Sequence, residues 1–118
     1  MDNDDIFYGT EDIFSKMPLK AYIFENSKLR LAKNYQEWAV WFNDTEKRRV
    51  DYTELPGNIT ISTVCLGLDH NFDGDGPPIL FETMVFGGNF DNRGWRFSTL
   101  GEAKNGHWTI VDCITRGE

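Results

Sequence analysis

A chain of 118 residues with 40% hydrophobic, 14% aromatic and 26% charged residues has the proportions of one globular domain, not of a disordered segment. Its 19 acids against 12 bases leave a formal charge of −7, which argues against direct nucleic-acid binding, where Lys and Arg must neutralise phosphates. No apolar run approaches the ~20 residues of a membrane span, and the start Met1-Asp2-Asn3-Asp4-Asp5 is acidic where a signal peptide is basic. The expected setting is therefore the cytoplasm, away from membranes.

Residues 1–18 read as an acidic N-terminal arm ahead of a single domain over 19–118. Asp2, Asp4, Asp5, Glu11 and Asp12 stand there without a base in the first 12 residues, and eight of the twelve bases fall between Lys16 and Arg49. Ile6-Phe7-Tyr8 and Ile13-Phe14 interrupt the polar stretch, and Thr10 is placed to cap a short helix carrying Ile13, Phe14 and Met17. Such an arm either straps the domain's own core or binds a partner. Lys20–Glu25 then reads as a strand closed by the turn residues Asn26-Ser27. Asn34 followed by Glu37 has the form of a capping box, and Tyr35, Trp38, Ala39 and Phe42 fall on one face of a helix that Asn43-Asp44 ends. A further strand is expected over 49–53, before Pro56-Gly57.

Ile59–Leu68 is rich in β-branched residues and reads as a strand. Asp69–Pro77 is a loop, and Pro78–Phe86 is a second strand closed by Gly87-Gly88. The two form an antiparallel hairpin. Centred on Asp73, it pairs Glu82 with a position near Val64. Trp95–Phe97 is a short strand. Thr99 with Glu102 repeats the capping-box pattern at the head of a helix over 100–114, whose apolar face holds Ala103, His107, Ile110, Val111 and Ile114. Gly101 and Gly106 weaken that helix by ~1 kcal/mol each against Ala. The order predicts an α+β fold, a mostly antiparallel sheet of four to five strands with two helices packed on one face. Cys65 and Cys113 lie inside periodic segments and read as small hydrophobes, not as a disulfide framework.

Few residues suggest chemistry. Asp69-His70-Asn71-Phe72-Asp73-Gly74 opens like a calcium loop, but the twelfth position is Leu80 where a bidentate Glu is required, and Pro77-Pro78 block the exiting helix. Glu82 shares a strand face with Leu80, Met84 and Phe86. A carboxylate there is expensive unless that face is open to water or the group is paired, protonated or metal-bound. His107 interrupts the apolar stripe of the last helix, as a hydrogen-bonded structural group or as a ligand. Because apolar faces of helix and sheet meet, Asp69, His70, Glu82 and His107 are expected to form one polar cluster. That cluster either fixes the register of helix on sheet or holds zinc or another divalent cation. No nucleotide loop, nucleophile elbow or Ser/His/Asp pattern is present.

Three stretches carry a resemblance: Ile61-Ser62-Thr63-Val64 through Leu66-Gly67-Leu68-Asp69-His70; Pro77-Pro78-Ile79-Leu80-Phe81-Glu82-Thr83-Met84-Val85-Phe86-Gly87-Gly88; and the Arg96-Phe97-Ser98-Thr99, Glu102-Ala103, Gly106-His107 pattern. Together they resemble a family of short, mostly uncharacterised phage and prophage proteins, over residues 34–112 and most specifically over 61–88. The family pattern carries Asp69, His70, Glu82 and His107, but neither Cys65, Cys113 nor the arm. It implies a phage or mobile-element origin in a bacterial host, not an activity. With the small size and acidity, the expectation is an accessory protein that binds a host or phage protein, most concretely an inhibitor of host defence of the anti-CRISPR kind. The alternative is a small metal-dependent hydrolase using Glu82 as base and histidines as ligands.

Overall fold

The computed structural model describes residues 20–71 and 75–117. The expected acidic arm, the short helix behind Thr10 and the centre of the Asp-rich loop lie outside the described residues. Strands β1 (Tyr22–Glu25) and β2 (Lys28–Leu31) form a two-stranded antiparallel hairpin. Its turn is Asn26-Ser27, both left-handed at φ 55° and 62°, the backbone a tight hairpin turn demands. Helix α1 (Tyr35–Phe42) starts as predicted, with Asn34 Oδ1 accepting from the Glu37 amide at 2.8 Å. The Glu37 carboxylate does not return to Asn34. It accepts instead from the Lys33 amide at 2.7 Å and from Arg30. A single turn, α2 (Thr45–Arg48), is capped by Asp44 and leads directly into the sheet.

That sheet has four strands, β3 (Arg49–Leu55), β4 (Ile59–Cys65), β5 (Phe81–Phe86) and β6 (Gly94–Phe97), in the order β3-β4-β5-β6 and antiparallel throughout. Glu82 pairs with Val64, where the hairpin symmetry placed it, and Thr63 pairs with Thr83 and with Asp51. An irregularity between Arg49 and Asp51 inserts Val50 into β3. β4 ends at Cys65, three residues before its predicted end, because Gly67 takes φ +82°. A Cβ on Gly67 would stand 2.7 Å from Trp38 Nε1 and from the Trp41 ring, so α1 packs directly on this bend.

Helix α3 (Leu100–Thr115) has the complete Thr99/Glu102 capping box and packs against all four strands. The fold is thus α+β. On the face that meets α3, Ile61, Thr63, Cys65, Phe81, Thr83 and Val85 are all buried, alternating within β4 and β5 with half-buried or exposed residues. Full burial of a residue such as Phe81 or Ile61 is worth ~1.5–3 kcal/mol. At one end of the sheet Ile23, Trp41 and Leu80 join Cys65, Phe81 and Ala103 in the same core, so α1 reaches it from the β1–β2 side. Gly106 has a packing reason. A Cβ there would lie 2.3 Å from the Phe97 ring, so its absence lets the helix approach β6 closely.

Candidate functional site

The most unusual interior group is His107, at 0% exposure among the largest buried side chains. Its place on the apolar stripe of α3 aims the ring at the middle of the sheet. There Nδ1 meets Thr63 Oγ1 at 2.8 Å and Nε2 meets Thr53 Oγ1 at 2.9 Å. Thr63 Oγ1 is also bonded to Thr83 Oγ1, so one histidine ties α3 to hydroxyls from β3, β4 and β5. A neutral imidazole has one donor and one acceptor nitrogen, and a hydroxyl can serve either, so every member is satisfied in either tautomer. Burial pushes the His107 pKa below its ordinary value, and the nearby Asp51 carboxylate opposes that shift. Asp51 Oδ2 is itself buried without a hydrogen-bond partner among the described residues.

The expected four-residue cluster does not assemble. Glu82 belongs to the alternate face of β5 from Thr83, so its carboxylate and the His107 ring lie on opposite sides of the sheet. Glu82 Oε2 accepts from Arg96 Nε at 3.1 Å across β5 and β6, half-shielded from solvent. Of the physical options for that carboxylate, the structure therefore uses pairing on a face open to water. Asp69 Oδ1 accepts from the amides of Asn71 and Ile79, each at 2.8 Å, closing the loop beyond β4. His70 Nδ1 bonds the Leu68 carbonyl at 2.8 Å. Both groups shape a chain reversal, whereas His107 sits at mid-sheet. Among the described residues no three His, Cys, Asp or Glu side chains are gathered as a metal site requires. Of the calcium-loop residues, Asn71 Nδ2 donates to the Asp75 and Pro77 carbonyls, the local bonding of a turn.

Two surface features escaped the sequence reading. The sheet face away from α3 carries Tyr52, Ser62, Val64, Glu82, Met84, Phe86 and Arg96, none of them buried, with Tyr52 42% and Phe86 45% exposed. Period-2 alternation implies an outer face but not which residues line it, and the sequence reading places Glu82, Met84 and Phe86 on the inner one. The second feature is a cavity of about 690 Å³ between the β1–β2 hairpin and α1. Its wall includes a fork in which Arg30 donates to both Glu37 oxygens, at 3.2 and 2.7 Å, and to Glu25 at 3.0 Å. Arg30, aided by the Lys33 amide, holds the Glu37 carboxyl down at about 2. Cys65 is sealed in the core, where burial pushes its thiol up to about 11 and away from reactivity.

No protein-family model, no curated protein and no solved structure matches this chain.

Proposed function

We propose that this protein is a non-enzymatic phage accessory protein that acts by binding a protein of the host or phage, with inhibition of host defence, in the anti-CRISPR manner, as the concrete form. The observation that carries the reading is the open sheet face, where Tyr52, Val64, Met84 and Phe86 lie together with the Glu82–Arg96 pair at their edge. Partly exposed aromatics among paired charges are the composition of protein interfaces. The net charge of −7 favours a basic protein surface as partner and disfavours phosphate. A metal-dependent hydrolase would need Glu82 and His107 to converge, and they face opposite ways. Affinity capture from host lysate at moderate salt tests the proposal. A retained protein should be lost with Phe86→Asp while the fold is kept, and failure of the intact chain to retain any macromolecule refutes binding.

A further inference from the structure

Strand register orders the outer face of the sheet into rows. Arg49, Glu82 and Arg96 share the row at one end, Tyr52 and Met84 the middle row, and Glu54 and Phe86 the row at the other end. Glu82 and Arg96 pair with each other, so their charges cancel. Arg49 and Glu54 enter no ion pair among the described residues. The Arg49 guanidinium lies over the Tyr52 ring at 4.3 Å, and its Nε, shielded from solvent, meets no acceptor there. Glu54 accepts from the Tyr52 hydroxyl at 3.0 Å. The face is therefore neutral in a chain of net charge −7, and it is dipolar. A cation without a carboxylate stands at one end and a carboxylate without a cation at the other, about 13 Å away along the strands, with apolar side chains between.

We propose that a second copy of this chain seats on this face, the two sheets stacked about a two-fold axis that runs across the strands. Such an axis lays β3 over β3 of the second copy in the opposite direction. Arg49 then faces Glu54 of the second copy and Glu54 faces its Arg49, while Met84 meets Met84 at the axis. An axis along the strands would instead set Arg49 against Arg96 of the second copy, so charge selects the first arrangement. Four strands ~4.8 Å apart, over about 20 Å of length, offer roughly 400 Å² per copy before side-chain relief, in the range of weak, transient contacts. The net charge of −7 on each copy opposes association. At about 0.15 M salt that repulsion is screened beyond ~8 Å, whereas the facing Arg and Glu are in contact. The inference rests on the proposed reading of this face as a binding surface and adds that the face is self-complementary. A weak dimer shields it until another partner displaces the second copy.

The test is sedimentation equilibrium of the full chain at about 0.15 M salt, from about 10 µM to about 1 mM protein, where a monomer–dimer equilibrium is expected. Glu54→Arg and Arg49→Glu should each weaken it by about tenfold or more. An equimolar mixture of the two variants should associate again, since every Arg then faces a Glu. Met84→Asp keeps both charges and leaves Arg49 on Tyr52, and it should also be monomeric. Circular dichroism checks that each variant keeps its fold. An intact chain that is monomeric at about 1 mM, a dimer that survives Met84→Asp or Glu54→Arg unweakened, or a mixture of folded charge variants that stays monomeric would each overturn the proposal. A monomeric chain that still retains a lysate protein would sink the dimer alone, and a dimeric chain that retains none would sink the proposed function alone.

Discussion

Replacing His107 by glutamine separates two properties of the buried network, its hydrogen bonds and its titration. In the folded chain both ring nitrogens are bonded, to Thr53 and Thr63 at 2.9 and 2.8 Å, and the ring is wholly shielded from water. Each such bond contributes ~0.5–1.5 kcal/mol net, and a glutamine amide can replace one bond well and the other with strain. His107→Gln should therefore cost about 1–2 kcal/mol at neutral pH. The titration works differently. Burial depresses the imidazole pKa, so below about 6.5 the unfolded chain takes up a proton that the folded chain refuses. Stability is then lost as pH falls through that value, at up to ~1.4 kcal/mol per pH unit, until the folded-state pKa is reached. The variant lacks this contribution. Urea unfolding of both proteins between about pH 8 and pH 5 isolates it, because the carboxylates are common to both. The gap should narrow as the solution is acidified. A gap constant with pH, or one that widens in acid, would show that His107 is not held neutral by burial and refute the reasoning.

Gly106→Ala should destabilise by about 1–3 kcal/mol despite its better helix propensity, because the new methyl group would stand 2.3 Å from Phe97; a raised thermal midpoint would contradict the packing. Glu82→Gln should cost less than about 1 kcal/mol, the ordinary scale of a half-exposed ion pair, measured by denaturant midpoint; a loss several times larger would mean that Glu82 has a role beyond pairing with Arg96. In Arg30→Gln the Glu37 carboxyl should climb from about 2 toward the usual range near 4.3, followed by carboxyl NMR titration, and no movement would dissociate the fork from the shift.

The longer elements were legible because each carries a periodic signal with punctuation. α3 has its capping box and a stripe from Ala103 to Ile114, and β4 and β5 have β-branched runs around a turn-rich loop, which sufficed to pair Glu82 with Val64. β2 and α2 were invisible, since Lys28–Leu31 and Thr45–Arg48 are too short to show a period. The site reading failed at a definite step. Leu80, Glu82, Met84 and Phe86 alternate as a tidy apolar face, but Leu80 lies ahead of β5 and is buried in the core cluster that Ile23 and Trp41 join, so its burial does not mark the strand's inner face. The true inner face, Phe81, Thr83 and Val85, holds a threonine, which looks like the poorer core. The missed clue was the pairing itself. With Glu82 opposite Val64, Thr83 must stand opposite Thr63, and two inward hydroxyls are what a buried histidine on the facing helix requires.

This interior chemistry bears on binding through rigidity. Hydrocarbon side chains tolerate small slides of a helix over a sheet, whereas a histidine bonded at both nitrogens to Thr53 and Thr63 is satisfied at one azimuth and one height. Moving α3 by a turn would bury unpaired ring nitrogens and hydroxyls at ~1–3 kcal/mol each, several times thermal energy. Thr83, bonded to Thr63, extends the same constraint to β5. The strands so fixed are those that present Tyr52, Val64, Met84 and Phe86 on their other face. A partner docking there would meet side chains whose backbone is already ordered, and would lose little affinity to ordering it. The buried network thus sets the geometry of the surface proposed to bind a partner.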